Sequence, residues 1–141
     1  MSACTNLDHS RAVARPIIQS QAGPVALEVV SGGAAGIPDS EVTRLVQAGV
    51  RQGCRGETND RIRAAADPML SMRWEIQRTG PRPQVIVTAS LFSQTRRVGF
   101  AFDRVLSPNA APNAVFEYAV ASLTCELYRK AGYLTKAGLR P

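Results

Sequence analysis

The chain has 141 residues, 45% apolar and 20% charged, with a net charge of +6. That length bounds it to one domain, of about 115 residues once a loose N-terminal segment is set aside. The balance excludes a disordered polyelectrolyte, and no run approaches the roughly 20 apolar residues a membrane-spanning helix needs. The positive charge is almost all arginine, Lys130 and Lys136 being the only lysines. Guanidinium groups favour anionic partners, but these arginines are scattered from Arg11 to Arg140, with Arg96-Arg97 the only adjacent pair. A nucleic-acid footprint clusters on one face, so a compositional bias explains the arginines more simply.

Residues 1–23 have no sustained period and mix Ser, Asn, Gln, Arg and Pro, the composition of a tether. Pro16-Ile17-Ile18 could add a short edge strand. Pro24 to Val30 reads as a strand, with Val25, Leu27 and Val29 on one side. The following Ser31-Gly32-Gly33-Ala34-Ala35-Gly36 joins strand to helix as a phosphate loop does. It lacks the glycine spacing and the Lys-Ser/Thr of such loops, so a connector is the plainer reading.

A helix is expected from Pro38, with Asp39 or Ser40 capping its first turn. Val42, Leu45, Val46, Gly49 and Val50 then form one apolar stripe, and Gly53 suits a left-handed stop. Residues 55–68 are polar, with room for one helical turn over 60–66. Beyond them Leu70, Met72, Trp74 and Ile76 alternate with Ser71, Arg73, Glu75 and Gln77, a strand with one face in the core. Residues 84–92 read as a central strand, apolar on both faces. After a turn at Ser93 to Arg96, Val98, Phe100 and Phe102 alternate into a further strand ending near Val105. The last helix is expected over 113–131, with Phe116, Ala119, Val120, Leu123 and Leu127 in one arc and Gly132 as its stop.

The order β-α-β-β-β-α predicts an α+β domain over 24–134, followed by a tail at 135–141. Its expected architecture is a four-stranded, mainly antiparallel sheet with both helices on one face. Trp74, Phe100 and Phe102 are expected in the core. The outer face would then carry Arg73, Glu75, Gln77, Thr88, Ser90 and Arg97, with Phe92 the one aromatic. A nucleic-acid platform would need aromatics among basic residues there.

Catalytic equipment is sparse. The single histidine, His9, lies in the tether, where it cannot be held within reach of a substrate proton. Cys54 and Cys125 fall short of the three or four ligands of a zinc site. No enzyme activity, metal or cofactor is expected. The candidate partner-binding residues are Arg73, Arg96 and Arg97, with Gly32 and Gly33 of the glycine-rich loop.

Ser2-Ala3-Cys4 resembles the last three positions of a bacterial lipobox, with Met1 where Leu usually stands. The resemblance implies that Cys4 is the lipidated N-terminal residue of the mature protein. Thr5 after it implies retention at the periplasmic side of the outer membrane. Lipidation of Cys4 would also leave Cys54 and Cys125 to pair. Such a bridge would close a loop of about 70 residues and could add ~4 kcal/mol. On the last helix Cys125 lies about 180° from the centre of the apolar arc, where a free thiol would be exposed. The alternative is two free thiols in a cytosolic protein.

The topology is also similar to that of small envelope-assembly lipoproteins such as the lipopolysaccharide-assembly lipoproteins, a likeness of fold that does not fix function. The expected function is a non-catalytic accessory domain of the cell envelope, touching the membrane through its lipid anchor and binding an envelope protein or an anionic glycolipid. The second reading is a cytoplasmic basic module that binds nucleic acid or protein.

Overall fold

The computed structural model describes residues 15–53, 60–62, 70–81 and 83–136. The elements in chain order are β1 Ile17–Ser20, β2 Gly23–Val30, α1 Asp39–Gln52, β3 Asp60–Ile62 and β4 Leu70–Arg78. There follow β5 Gln84–Ser93, β6 Arg96–Leu106, α2 Asn113–Lys130 and β7 Leu134–Lys136. The class is α+β with two helices, but the sheet has five strands and is mixed, in the order β1-β2-β4-β5-β6.

Three of the four pairings are antiparallel, as expected, but two features correct the four-stranded picture. β2 and β4 run parallel, Val25 beside Leu70 through Val30 beside Glu75, because α1 returns the chain across the sheet before β4 begins. The fifth strand, β1, comes from the segment whose composition resembles a tether. Ile17 to Ser20 pair with Ala26 to Gly23, and Ile18 is buried. This is the short edge strand that Pro16-Ile17-Ile18 allowed, although four residues give only two periods of alternation and do not by themselves separate it from a polar tail. The ends of the domain differ likewise. β3 forms where a helical turn was expected, and it pairs with β7, which reaches into the expected tail.

The inner face of the sheet follows the sequence pattern closely. Leu70, Met72, Trp74 and Ile76 of β4 and Val85, Val87, Ala89 and Leu91 of β5 are all buried, as are Val25 and Leu27 of β2. Against them pack Val42, Leu45, Val46 and Val50 of α1. α2 buries more than a stripe: Ala121, Thr124, Cys125 and Tyr128 join Phe116, Val120, Leu123 and Leu127. The helices cross at Gly49, where a Cβ would lie 2.8 Å from the Glu117 carbonyl oxygen. A side chain there would force them apart.

α1 is entered from Pro38, whose carbonyl accepts the N–H groups of Glu41 and Val42. Asp39 does not cap the helix as expected; its Oδ1 accepts the Gly33 N–H at 3.0 Å and so ties down the preceding loop. At the other end Gly53 has a positive φ of 50, but its ψ of −128 departs from the left-handed stop expected; its N–H donates to the Gly49 carbonyl. β1 is held to α2 by a bond between Tyr128 Oη and Ser20 Oγ. Ser20 Oγ itself donates to the Gly23 carbonyl at 2.7 Å, which leaves the tyrosine as donor. Burial pushes the Tyr128 pKa up to about 12.

β6 reverses a second expectation. Arg97 pairs with Phe92 and Gly99 with Leu91, so Val98 is an unpaired bulge residue. One extra residue exchanges the two faces of the remaining strand. Gly99, Ala101 and Val105 therefore point to the core, while Phe100 and Phe102, expected inside, stand outside at 39% and 63% exposure. α2 explains which residues can face inward here. A Cβ on Gly99 would lie 3.1 Å from the Leu127 carbonyl oxygen, so no phenylalanine fits between strand and helix.

Candidate functional site: the open face of the sheet

Both helices lie on the inner face, and among the described residues no element covers the outer one. The register arranges that face in rows across the strands. Ile17, Ala26, Ser71, Phe92 and Arg97 form one row, and Glu28, Arg73, Ser90 and Phe100 the next. Val30, Glu75, Thr88 and Phe102 form a third, followed by Gln77, Ile86 and Arg104. Among the described residues, the exposed large apolar side chains Ile17, Val30, Phe100, Phe102 and Leu106 belong to this face; the other two, Val115 and Tyr118, are on α2.

The half of the face built by β1, β2 and β4 is electrically closed. Arg15 reaches Glu28 at 3.2 Å, Glu28 reaches Arg73 at 3.0 Å, and Arg73 reaches Glu75 at 2.9 Å. The Arg73 pKa is raised, chiefly by its hydrogen bond to Glu75 and next, against burial, by the charge of Glu28. Two cations alternate with two carboxylates, leaving no net charge to offer. An open groove of about 530 Å³ lies alongside, lined by Ile17, Pro24, Ala26, Ser71 and the Gln94-Thr95 turn. Alanine and serine between taller neighbours account for the depression.

The half built by β5 and β6 is different. Phe100 and Phe102 lie with ring centroids 6.2 Å apart at 47°, and the Arg97 guanidinium sits 4.9 Å from the Phe100 centroid. Arg96, Arg97 and Arg104 have no carboxylate within ion-pair distance among the described residues. Phe92 extends the apolar surface toward the groove, and Ile86 extends it toward the opposite end of β5. Exposed rings bordered by uncompensated guanidinium groups suit a partner with an apolar body and anionic groups.

The sequence candidates separate on this frame. Arg73 and Arg97 share the outer face as expected, but Arg73 is committed to two carboxylates. Arg96 and Arg97 open β6, at one end of the sheet. Gly32 and Gly33 follow β2 at the other end. The Gly33 N–H is taken by Asp39, and the loop is held by the Ser107 hydroxyl donating to the Ala35 carbonyl. The loop thus serves as a connector and does not join the arginine site. Phe100, Phe102 and Arg104 are the residues that sequence reasoning misplaced or missed. The available signal was Gly99 inside a strand pattern, which marks a bulge or a close backbone approach.

Cys4, His9 and Cys54 lie outside the described residues. Cys125 is disulfide-bonded and 1% exposed, so the expectation of an exposed position on α2 is corrected. Among the described residues no three His, Cys, Asp or Glu side chains gather as a metal site. No helix there is long and apolar enough to cross a membrane. No family model, curated protein or solved structure matches the chain.

Proposed function

We propose that the protein is a non-catalytic binding domain of the bacterial cell envelope, anchored through a lipidated Cys4 at the periplasmic side of the outer membrane. It engages an envelope protein or an anionic glycolipid with the open face of its sheet. The observation that carries this reading is the exposed Phe100–Phe102 pair beside Arg97 and Arg104, on a face neither helix covers. Large exposed apolar side chains gathered on one surface mark an interaction site. The disulfide at Cys125 supports an exported protein, since such bonds persist in oxidising compartments. We assign its partner as Cys54, the pairing that a lipidated Cys4 leaves.

A second reading has a specific observation behind it. Aromatics among arginines on an open sheet are also how single-stranded nucleic acid is stacked, and the bulge at Val98 puts Phe100 and Phe102 in that arrangement. A photocrosslinking residue at Phe102, in cells producing the full chain, tests both readings. Adducts with an envelope protein or glycolipid at Phe102, and none with the same probe at Tyr118 on α2, are expected. RNA adducts would favour the second reading. Equal adducts from both positions would remove the sheet face as the site.

A further inference from the structure

β6 is the last strand of the sheet, and the hydrogen bonds along it show which backbone groups face outward. Ser107 N–H donates to the Pro83 carbonyl at 3.0 Å, so odd-numbered residues beyond the bulge bond to β5 and even-numbered ones point away. The Phe100 carbonyl accordingly accepts the Lys130 ammonium at 2.8 Å, from outside the sheet. The Arg104 N–H is taken by the Asp103 carboxylate at 2.8 Å. These two bonds cap the edge on either side of Phe102. Within the window they leave, the Phe102 N–H and carbonyl, the Phe100 N–H and the Arg104 carbonyl have no partner among the described residues.

We propose that this window is a self-pairing edge, at which β6 of a second copy adds antiparallel about a two-fold axis through Phe102. The register follows from the free groups. Phe102 of each copy exchanges both backbone bonds with Phe102 of the other, and each Phe100 N–H donates to the opposite Arg104 carbonyl. All four bonds use groups that Lys130 and Asp103 leave free, while the capped Phe100 carbonyl and the opposite capped Arg104 N–H stay unbonded to each other.

The side chains agree with that register. Phe102 faces Phe102, and Arg104 of one copy faces Phe100 of the other, a cation–π pair made twice. A shift by two residues toward Leu106 would instead set Arg104 against Arg104, like charges directly opposite. Self-complementarity of this kind is what a two-fold interface requires. Paired copies would also join their two outer faces into one surface. The outermost bonds on either side stay capped, which limits affinity, because an open edge invites continuous pairing. Lys130 is in turn held by Glu126 at 2.9 Å.

Sedimentation velocity across a concentration series of the full chain tests the proposal. The native protein should show a reversible monomer–dimer equilibrium. The double variant Asp103→Ala/Lys130→Met should tighten it by about tenfold, by freeing the Arg104 N–H and the Phe100 carbonyl together for a further bond in each half. Phe102→Asp should leave monomer only, since two carboxylates would meet on the axis. Phe102 is 63% exposed, so an unchanged far-UV spectrum and melting temperature are expected for that variant. A dimer that survives Phe102→Asp, a dimer indifferent to the loss of both caps, or a monomer throughout for both the native protein and the Asp103→Ala/Lys130→Met variant would overturn it.

Discussion

The two halves of the outer sheet face share one backbone scaffold but carry their arginines differently. On β2 and β4, Arg15 and Arg73 are interleaved with Glu28 and Glu75 at ion-pair distance. On β5 and β6, Arg97 lies over Phe100, and the guanidinium groups of Arg96 and Arg104 have no ion-pair partner among the described residues. The same residue type is structural in one half and free to bind in the other. What separates them is the register partner on the next strand: Glu28 beside Arg73, but Phe92 beside Arg97. A count of arginines therefore overstates the binding surface, and the acidic residues opposite them decide which ones matter.

The largest effect should come from disturbing what holds the second half outward. Gly99→Val would place a branched side chain against the Leu127 carbonyl, pushing α2 off β6. A loss of up to about 3 kcal/mol is expected in urea unfolding. Unchanged stability would mean that α2 does not dictate the orientation of β6, and the contrast between the halves would lose its cause.

Next is the tie between β1, which borders the groove, and α2, which backs β6. Burial holds the Tyr128 pKa at about 12, above the ordinary tyrosine value of 10.0. The unfolded chain therefore loses this proton first. The stability contributed is full below pH 10 and is lost as pH rises from there to about 12. The two units correspond to roughly 2–3 kcal/mol over that interval. Tyr128→Phe should unfold less steeply across that range than native protein does, while losing the Ser20 bond at neutral pH. Parallel alkaline unfolding curves for the two proteins would show that the hydroxyl is not the responsible group.

Binding should divide the halves more directly. Replacing Phe100 and Phe102 with Ala should weaken partner binding by about tenfold or more, with stability within about 0.5 kcal/mol of native. Arg97→Ala should act in the same direction. The smallest effect is expected from Arg73→Ala, which exposes Glu28 and Glu75 to each other and costs less than about 1 kcal/mol. It should leave binding intact. If Arg73→Ala weakens binding as much as Arg97→Ala, the partner spans the groove as well, and the division between halves does not describe the site.

The inner face was legible from the chain alone. Leu70 to Ile76 and Val85 to Leu91 alternate cleanly because every second residue must leave water, and Val42 to Val50 keep helical period for the same reason. Trp74 follows from that logic and is fully buried. Period-two burial and 3.6-period burial are local constraints, written residue by residue. The two helices, the central strands and the side on which Arg73 and Arg97 emerge could all be read this way.

The tertiary structure alone decided the rest. Phe100 and Phe102 follow a strand pattern as well as Val85 and Val87 do, yet they face outward, because the bulge at Val98 shifts the phase and α2 leaves room only for Gly99 and Ala101. Ile17 to Ser20 became a strand because β2 offers it an edge. Arg73 became structural because β2 runs parallel to β4 and sets Glu28 beside it. Gly99 and Pro16-Ile17-Ile18 hint at the first two, but which helix or strand lies against each is chosen by the fold, and no local pattern names that neighbour.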